Sequence, residues 1–219
     1  MEIRIENLSK AFNGNKVLEN INLHFNRSGI YCIMGPSGRG KTTLLRIMMG
    51  LEPIDQGNVF VDNVPLKYQK RMRAYGLGQC RLNDGTPLDV GAVFQEDRLC
   101  DWLDAVYNVA VVPMAKGGAD KQSALREASK HLRQLLPEES IHKPASSLSG
   151  GMRRRVAIAR AMASQSELLL MDEPFSGLDE LTKENVIQYI LQERGERLLI
   201  VVSHQKKDAD LLGAQIISI

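Results

Sequence analysis

The sequence predicts an α/β fold built on a parallel sheet, and two observations carry that prediction. Three runs are continuously apolar, as strands buried on both faces of a sheet are: IYCIM (30–34), LLLM (168–171) and LLIVV (198–202). The last two are joined by a helix-forming stretch, ELTKENVIQYILQER (180–194), which supplies the crossover that parallel strands need. We therefore expect a core of parallel strands covered by helices.

The beginning of the chain has a different pattern. Polar and apolar residues alternate in EIRIENL (2–8) and in VLENINLHF (17–25), and turn-forming residues lie between them at Asn13, Gly14 and Asn15. Alternation with a period of two is typical of antiparallel strands that have one face in water. We expect an antiparallel β subdomain ahead of the first parallel strand.

The middle of the chain is predicted to be helical. No strand pattern is strong between residues 95 and 163, and four apolar residues there recur at helical spacing: Leu125, Ala128, Leu132 and Leu135. We predict a helical subdomain at 95–163, inserted into a core formed by 1–94 and 164–219. The whole chain, 1–219, would then be a single domain.

Composition and charge exclude several kinds of protein. The 219 residues are 43% hydrophobic and 25% charged, as in ordinary soluble domains, and the net charge of +2 is too small to indicate a nucleic-acid partner. No apolar run approaches the roughly 20 residues that cross a bilayer, and the start, MEIRIENLSK, has no secretory signal, so a cytoplasmic location is expected. Cys32, Cys80 and Cys100 are widely spaced and are expected to be reduced thiols.

A phosphate-binding loop follows the first predicted parallel strand. GPSGRGKT (35–42) fits the pattern G-x-x-x-x-G-K-[ST], with a buried strand before it and a helix-forming run, KTTLLRIMMG (41–50), after it. Glycines allow the backbone to curl so that successive N–H groups face phosphate oxygens at a helix N-terminus. The residues expected to hold a nucleotide are Gly35, Pro36, Ser37, Gly38, Arg39, Gly40, Lys41, Thr42 and Thr43.

Three side chains of this loop have distinct predicted roles. Lys41 is expected to neutralise the charge of the β- and γ-phosphates, Thr42 to offer its hydroxyl to Mg²⁺, and Thr43 to reach the α-phosphate. ATP and Mg²⁺ are therefore the predicted cofactors.

A carboxylate pair and a histidine follow the next two parallel strands. LLLMDEP (168–174) contains Asp172 and Glu173, at the sheet edge where ligands of open α/β folds bind. Asp172 is predicted to join the Mg²⁺ shell and Glu173 to act on an attacking water as general base, although a solvated acidic turn would look similar. VVSH (201–204) places His204 at the same edge, where it either donates to the γ-phosphate or has a structural role.

A second glycine turn lies more than a hundred residues after the first. In SLSGGMRRRVAIARA (147–161), Ser149, Gly150 and Gly151 present N–H groups before a helix-forming run. Two anion-binding turns so far apart do not easily wrap one nucleotide. A symmetric head-to-tail dimer resolves this, because the turn of one chain would cover the γ-phosphate held by the other.

In combination these motifs resemble the nucleotide-binding subunit of an ABC transporter, over nearly the whole chain. The resemblance is carried by five motifs in this order: GPSGRGKTT, LSGGMRRRVAIARA, LLLMDEP, SGLD and VVSH. It implies the ABC ATPase fold, a P-loop NTPase core with an antiparallel β subdomain and an inserted helical subdomain. It also implies a homodimer, or a pair with another ATPase subunit, that closes around ATP.

The resemblance adds three residues to the predicted site. Phe12 matches the aromatic residue that stacks on adenine, with packing on its own strand as the alternative. Gln95 matches the glutamine that reaches Mg²⁺ and the attacking water, unless it is an ordinary loop amide. Asp179, in SGLD, matches a loop that communicates across the dimer.

The chain also departs from the family pattern. Phe12 stands where tyrosine is usual and keeps the stacking face, whereas Met152 stands where glutamine is usual and loses an amide hydrogen bond. The stretch from 57 to 95 is longer than the family leads us to expect and includes the basic segment KYQKRMRAYGLGQCR (67–81). That segment is either a solvated loop or a contact for a partner or anionic lipid.

The function implied by the resemblance is an ATPase that drives solute translocation, with import as the expected direction. Its partners would be transmembrane permease subunits at the cytoplasmic face of the membrane and an extracytoplasmic solute-binding protein. The segment DWLDAVYNVAVVP (101–113) would shape the docking groove and is similar to importers of the nitrate, taurine and sulfonate type, with Trp102 either in that groove or in the core. The alternatives are an exporter ATPase and a soluble ATPase of an assembly system, and the sequence does not identify the solute.

Overall fold

The computed structural model describes residues 1–67, 81–117 and 120–219. The strands in chain order are β1 (Ile3–Phe12), β2 (Asn15–Phe25), β3 (Ile30–Met34), β4 (Gln56–Val61), β5 (Val64–Lys67), β6 (Arg81–Leu82), β7 (Val90–Val93), β8 (Leu168–Asp172), β9 (Leu198–Val202) and β10 (Gln215–Ser218). The α-helices are α1 (Lys41–Met48), α2 (Ala105–Ala115), α3 (Lys121–Arg133), α4 (Gly150–Ala163), α5 (Glu180–Glu193) and α6 (Lys206–Leu212). Most of the basic segment 67–81, including Cys80, lies outside the described residues.

A five-stranded parallel sheet forms the centre of the fold, in the order β10-β3-β9-β8-β7. All residues of β8 and β9 are buried, which explains why these strands are continuously apolar in sequence. The α/β fold class and the three predicted parallel strands are confirmed. The edge strands β7 and β10 were not predicted.

A second sheet is antiparallel and has the order β2-β1-β4-β5-β6. The β1–β2 hairpin turns at Asn13 and Gly14, which have φ of 51° and 83°, as its turn residues predicted. The sequence analysis missed the β4–β5 hairpin, which turns at Asp62 and Asn63 with φ of 46° and 65°. The Asp-Asn pair between apolar residues was the signal that could have found it.

Helices α2, α3 and α4 pack against one another, and their apolar residues continue into the core on one face of the parallel sheet. The proposed helical subdomain, 95–163, begins just after β7 and ends at the last residue of α4. Trp102 lies in the turn before α2 and is 80% exposed, so the interpretation of Trp102 as a core residue is wrong. Trp102 and the neighbouring Asp101 form an exposed turn, and α2 begins only after its cap residue Asp104.

The carboxyl ends of the parallel strands bring four loops to one edge of the sheet. The phosphate loop follows β3, Gln95 follows β7 closely, Glu173 follows β8, and His204 lies two residues beyond β9. This is the edge at which open α/β sheets bind their ligands. Among the described residues, no helix is long and apolar enough to cross a membrane.

The two cysteines in the described part of the chain, Cys32 and Cys100, are free, as expected. Burial, reinforced by the nearby charge of Asp208, raises the pKa of the Cys32 thiol to about 11. Cys32 therefore behaves as a small apolar residue of β3.

Candidate functional site

The phosphate loop between β3 and α1 needs its glycines. Gly38 and Gly40 have φ of 81° and 87°, in the left-handed region that glycine adopts without strain. A Cβ atom on Gly40 would also lie 2.9 Å from the carbonyl oxygen of Val17 and 2.7 Å from the side chain of Leu18. Strand β2 therefore packs directly against the loop and fixes its path.

The start of α1 is open to an anion. Gly40 is the N-cap residue, no side chain accepts a hydrogen bond from this helix end in the described structure, and no acidic residue lies in the first turn. The first backbone N–H groups of a helix have no partners within the helix, and the helix dipole makes this end positive. The open helix end is therefore suited to phosphate oxygens.

Lys41 is buried at the first position of α1. Its Nζ donates to the carbonyl oxygens of Gly35 and Pro36, each at 2.8 Å. The ammonium group is thus held against the backbone of the phosphate loop, where it supplies a positive charge. Residues 36–39, by contrast, are exposed.

Asp172, the last residue of β8, is buried, and its Oδ1 has no hydrogen-bond partner among the described residues. Burial raises the pKa of this carboxyl above its usual value, while a hydrogen bond from the Thr42 hydroxyl opposes the rise. Asp172, Thr42 and Gln95 line one small pocket of about 150 Å³. Carboxylate, hydroxyl and amide oxygens are the hard donors that Mg²⁺ prefers, so these residues fit that ion and the unpartnered oxygen would receive it.

Glu173 follows Asp172 in an unusual backbone conformation. Its φ is 48°, in the left-handed region, and its N–H donates to the carbonyl oxygen of Val202 at 3.0 Å. Backbone strain of this kind concentrates at functional sites, because surrounding structure must hold it in place. The turn directs Glu173 toward His204, whose Nε2 lies 2.9 Å from the carboxylate oxygen Oε1.

One cavity of about 290 Å³ brings most of the predicted residues together. It is lined by Val17, Ser37, Gly38, Gly40, Lys41, Thr42, Thr43, Gln95, Glu173 and His204. Val17 was missed by the sequence analysis, because only the packing of β2 against the loop brings it there. Gly35, Pro36 and Arg39 belong to the same loop but do not line the cavity.

Phe12 does not line this cavity either. Its side chain, at the end of β1, is 41% exposed, and the ammonium group of Lys10 lies 4.9 Å from the centre of its ring. The exposed part of the ring is accessible for stacking. Close packing within the strand, the alternative, would not leave the side chain 41% exposed.

The residues of the second glycine turn do not line the cavity. Ser149 is the N-cap residue of α4 and its hydroxyl accepts a hydrogen bond from the N–H of Met152 at 3.3 Å. Ser149 and Gly150 are exposed, and Gly151 is half-buried beside Leu178. Asp179 is likewise a helix cap, accepting from the N–H of Thr182 at 2.9 Å. One chain does not bring this turn to its own phosphate loop.

Sequence comparison identifies the family. Residues 18–176 match the ABC transporter family. The chain is 36% identical over 206 residues to a methionine import ATP-binding protein of Clostridium acetobutylicum. The matched region covers 93% of this chain and 61% of that relative. It is 34% identical to the glutamine transport ATP-binding protein of Escherichia coli, covering 99% and 87%. An aliphatic sulfonates import ATP-binding protein of Burkholderia cenocepacia is 35% identical, covering 95% and 70%.

Solved structures agree with the sequence comparison. The ABC transporter cassette MJ0796, solved as a dimer, is 29% identical and superposes with a TM-score of 0.83 over 99% of this chain and 94% of that one. The same cassette has been solved in a post-hydrolysis state bound to ADP and Pi, and there the TM-score is 0.84. The chain therefore belongs to the ABC transporter family, as an ATP-binding subunit.

Proposed function

We propose that this chain hydrolyses ATP to drive solute import through transmembrane permease subunits, at the cytoplasmic face of the membrane. The observation that carries the proposal is the single cavity that is lined by Lys41 of the phosphate loop together with Glu173 and His204. Relatives named as methionine, sulfonate and taurine import proteins support the direction. An extracytoplasmic solute-binding protein would complete such a system. Membership of the nitrate, taurine and sulfonate subgroup stays a proposal, because relatives with other transport roles have nearly the same sequence identity to this chain.

The phosphate loop would bind ATP through its backbone and through Lys41. The open N-terminus of α1 supplies N–H donors, and Lys41 would exchange its two carbonyl partners for phosphate oxygens. Thr43 also lines the cavity and would reach the α-phosphate. The exposed ring of Phe12 would stack on adenine.

Thr42, Gln95 and Asp172 would hold Mg²⁺ at the phosphates. When bound, the ion would neutralise part of the phosphate charge. The unpartnered Oδ1 of Asp172 supports this assignment. Glu173 would take a proton from the attacking water as general base, and His204 would orient that carboxylate and donate to the γ-phosphate. The left-handed backbone at Glu173 keeps the carboxylate aimed at this position.

A second copy of the chain would complete the site. Ser149, Gly150 and Gly151 are exposed or half-buried and lie outside the chain's own cavity, so they are free to cover ATP held by a partner. Asp179 would lie at the same dimer interface. The helical subdomain at 95–163 would carry the closing motion to the permease.

An exporter or release system is the second candidate. It is favoured by a lipoprotein-releasing system ATP-binding protein of Bacteroides thetaiotaomicron, which is 34% identical and of which the chain covers 90%. The site chemistry would be the same, so only the partner subunits separate the two candidates.

The test is a mild-detergent pull-down from native membranes of the chain carrying Glu173→Gln, which is expected to keep ATP bound because hydrolysis is slowed. Co-purifying proteins are identified by mass spectrometry, with ATP and with ADP. Import predicts a polytopic partner and an extracytoplasmic binding protein encoded nearby. Glu184→Gln, at a half-buried residue of α5 that pairs with Lys207 and does not line the cavity, is the matched control and should show no ATP-dependent enrichment. Recovery of soluble partners alone would contradict the transport proposal.

A further inference from the structure

A buried arginine of α4 holds the segment that contains Gln95. Arg154 is 8% exposed, and its two terminal nitrogens donate to the carbonyl oxygens of Phe94 at 2.6 Å and of Gln95 at 2.5 Å. Its Nε lies 3.2 Å from the carboxylate of Asp97, and both side chains of this ion pair are largely buried. One guanidinium thus holds two consecutive backbone carbonyls by hydrogen bonds and forms an ion pair with one carboxylate, whose Oδ1 accepts no hydrogen bond among the described residues.

A second arginine of the same helix extends this contact. Arg160 donates to the carbonyl oxygens of Asp97 and Arg98, both at 2.8 Å. Arg98 has a φ of 49°, and its guanidinium lies 4.0 Å from the centre of the Phe94 ring. The segment 94–98 therefore has its shape set by α4, because it forms no helix or strand of its own.

The side chain of Gln95 lies where that shape has consequences. Gln95 lines the cavity that contains Lys41 and Glu173, and it also lines the pocket that contains Asp172. A shift of its backbone would move its amide relative to both. A planar guanidinium with parallel donors restricts such a shift in a way that a lysine ammonium cannot.

The same helix begins at the second glycine turn. Arg154 lies five residues after Ser149, about 7.5 Å along the axis at the usual rise of an α-helix. A rigid helix therefore joins the turn that would face a partner's nucleotide to the glutamine at the chain's own nucleotide cavity.

We propose that Arg154 is a positioning residue for Gln95, which it holds in register with the nucleotide cavity through the carbonyls of residues 94 and 95. The inference rests on the proposed role of Gln95 in the site. Arg154 itself lines neither the cavity that contains Lys41 nor the pocket that contains Asp172. Its loss should therefore slow turnover and leave the affinity for ATP nearly unchanged.

The experiment compares steady-state ATP hydrolysis by the full chain with Arg154→Gln, with Gln95→Ala, and with both substitutions. We expect Arg154→Gln to lower kcat about 10-fold, the effect of losing a buried charged hydrogen-bond donor, and to change KM for ATP less than about 3-fold. The double variant should have the kcat of Gln95→Ala alone, because both changes act on the same group. Arg153→Gln is the control, since Arg153 binds Asp101 and the carbonyl of Ala145 instead.

Two further variants keep the test decisive if Arg154→Gln does not fold, as judged by thermal unfolding. Arg154→Lys keeps the charge and loses the paired donors, and Asp97→Asn removes only the ion pair with Nε. Each should lower kcat by a smaller factor and add nothing to Gln95→Ala. If the effects of Arg154 and Gln95 multiply, Arg154 does not act through Gln95 and the inference fails by itself. If Gln95→Ala leaves kcat unchanged, the proposed role of Gln95 fails and takes the inference with it.

Discussion

The two glycine turns of this chain are built differently, although each begins a helix. The turn before α1 leaves the helix end without a side-chain cap and places the buried Lys41 beside it. The turn before α4 is capped by its own Ser149, and Ser149 and Gly150 are exposed. The first turn therefore supplies both N–H donors and a cation, whereas the second supplies N–H donors and a hydroxyl.

The three arginines that follow the second turn do not change this. Arg153, Arg154 and Arg155 all direct their guanidinium groups to carbonyl or carboxylate oxygens of the same chain. In the proposed dimer the second turn would be half of a site, stable by itself and without chemistry of its own. This asymmetry is what an ATP held by one chain and covered by another requires, and the matching cassette was solved as a dimer.

The largest effect should come from the chemistry beside the first turn. Glu173→Gln removes the proposed base and keeps the shape of the side chain, so ATP hydrolysis should slow by ~10²–10⁴ while ATP binding persists. The measurement is single-turnover hydrolysis alongside equilibrium binding of ATP. Glu184→Gln should hydrolyse at the unsubstituted rate. Equal turnover in the two variants would remove Glu173 from catalysis and leave the first turn a binding site only.

Loss of the cation should weaken the first turn as a binding site. Lys41→Met keeps most of the apolar stem and removes the charge, and charge-assisted hydrogen bonds contribute ~1.5–3 kcal/mol. We therefore expect ATP affinity to fall ~10–100-fold by isothermal titration calorimetry. Lys130→Met, at an exposed lysine paired with Glu127, is the control. An unchanged affinity in Lys41→Met would mean that the N–H groups alone are sufficient, and the two turns would differ less than proposed.

The second turn can be tested without disturbing its helix. Aspartate is as good an N-cap as serine, so Ser149→Asp should preserve the stability of α4 while placing a negative charge where a phosphate would lie. In the Glu173→Gln background we expect ATP-dependent dimerisation, followed by sedimentation, to weaken about 10-fold or more. Affinity of the single chain for ATP should stay within about 2-fold.

Ser149→Ala provides the matched comparison. It removes the cap, which costs about 1 kcal/mol of stability, but it adds no charge, so dimerisation should survive better than in Ser149→Asp. If Ser149→Asp instead weakened ATP binding by the single chain as much as Lys41→Met does, both turns would act within one chain and the comparison would collapse.

Strands were predicted correctly from the sequence where every residue in a continuous run is buried. Strands β8 and β9 are buried throughout, so burial alone made them visible as apolar runs. Strands β7 and β10 lie at the edges of the sheet and were missed. In β7, Gly91 interrupts the pattern because a Cβ there would lie 2.7 Å from the carbonyl oxygen of Ala161 in α4.

The same division applies to the candidate site. Lys41, Thr42 and Glu173 lie in contiguous motifs, so their chemistry could be predicted from spacing. Val17 and Arg154 reach the site or its supports only through packing between distant segments, and no local pattern indicates this. The left-handed backbone at Glu173 was equally hidden, since glutamate has no preference for it.

The smallest effect concerns the buried carboxyl of Asp172, which lines a pocket together with Thr42 beside the first turn. Burial raises the pKa of Asp172, so the folded, ligand-free chain binds this proton more tightly than the unfolded chain does. The free energy of unfolding of the ligand-free chain should consequently fall as pH rises through the raised pKa of Asp172. A carboxyl with a lowered pKa would instead make the free energy of unfolding rise with pH. Asp172→Asn has no charge to bury, so urea unfolding of the ligand-free variant should lack that part of the pH dependence. Asp210→Asn, at an exposed position of α6, should keep it. A slope that persists in Asp172→Asn would show that the buried carboxylate is already compensated, and the need for a cation at the first turn would lose its physical basis.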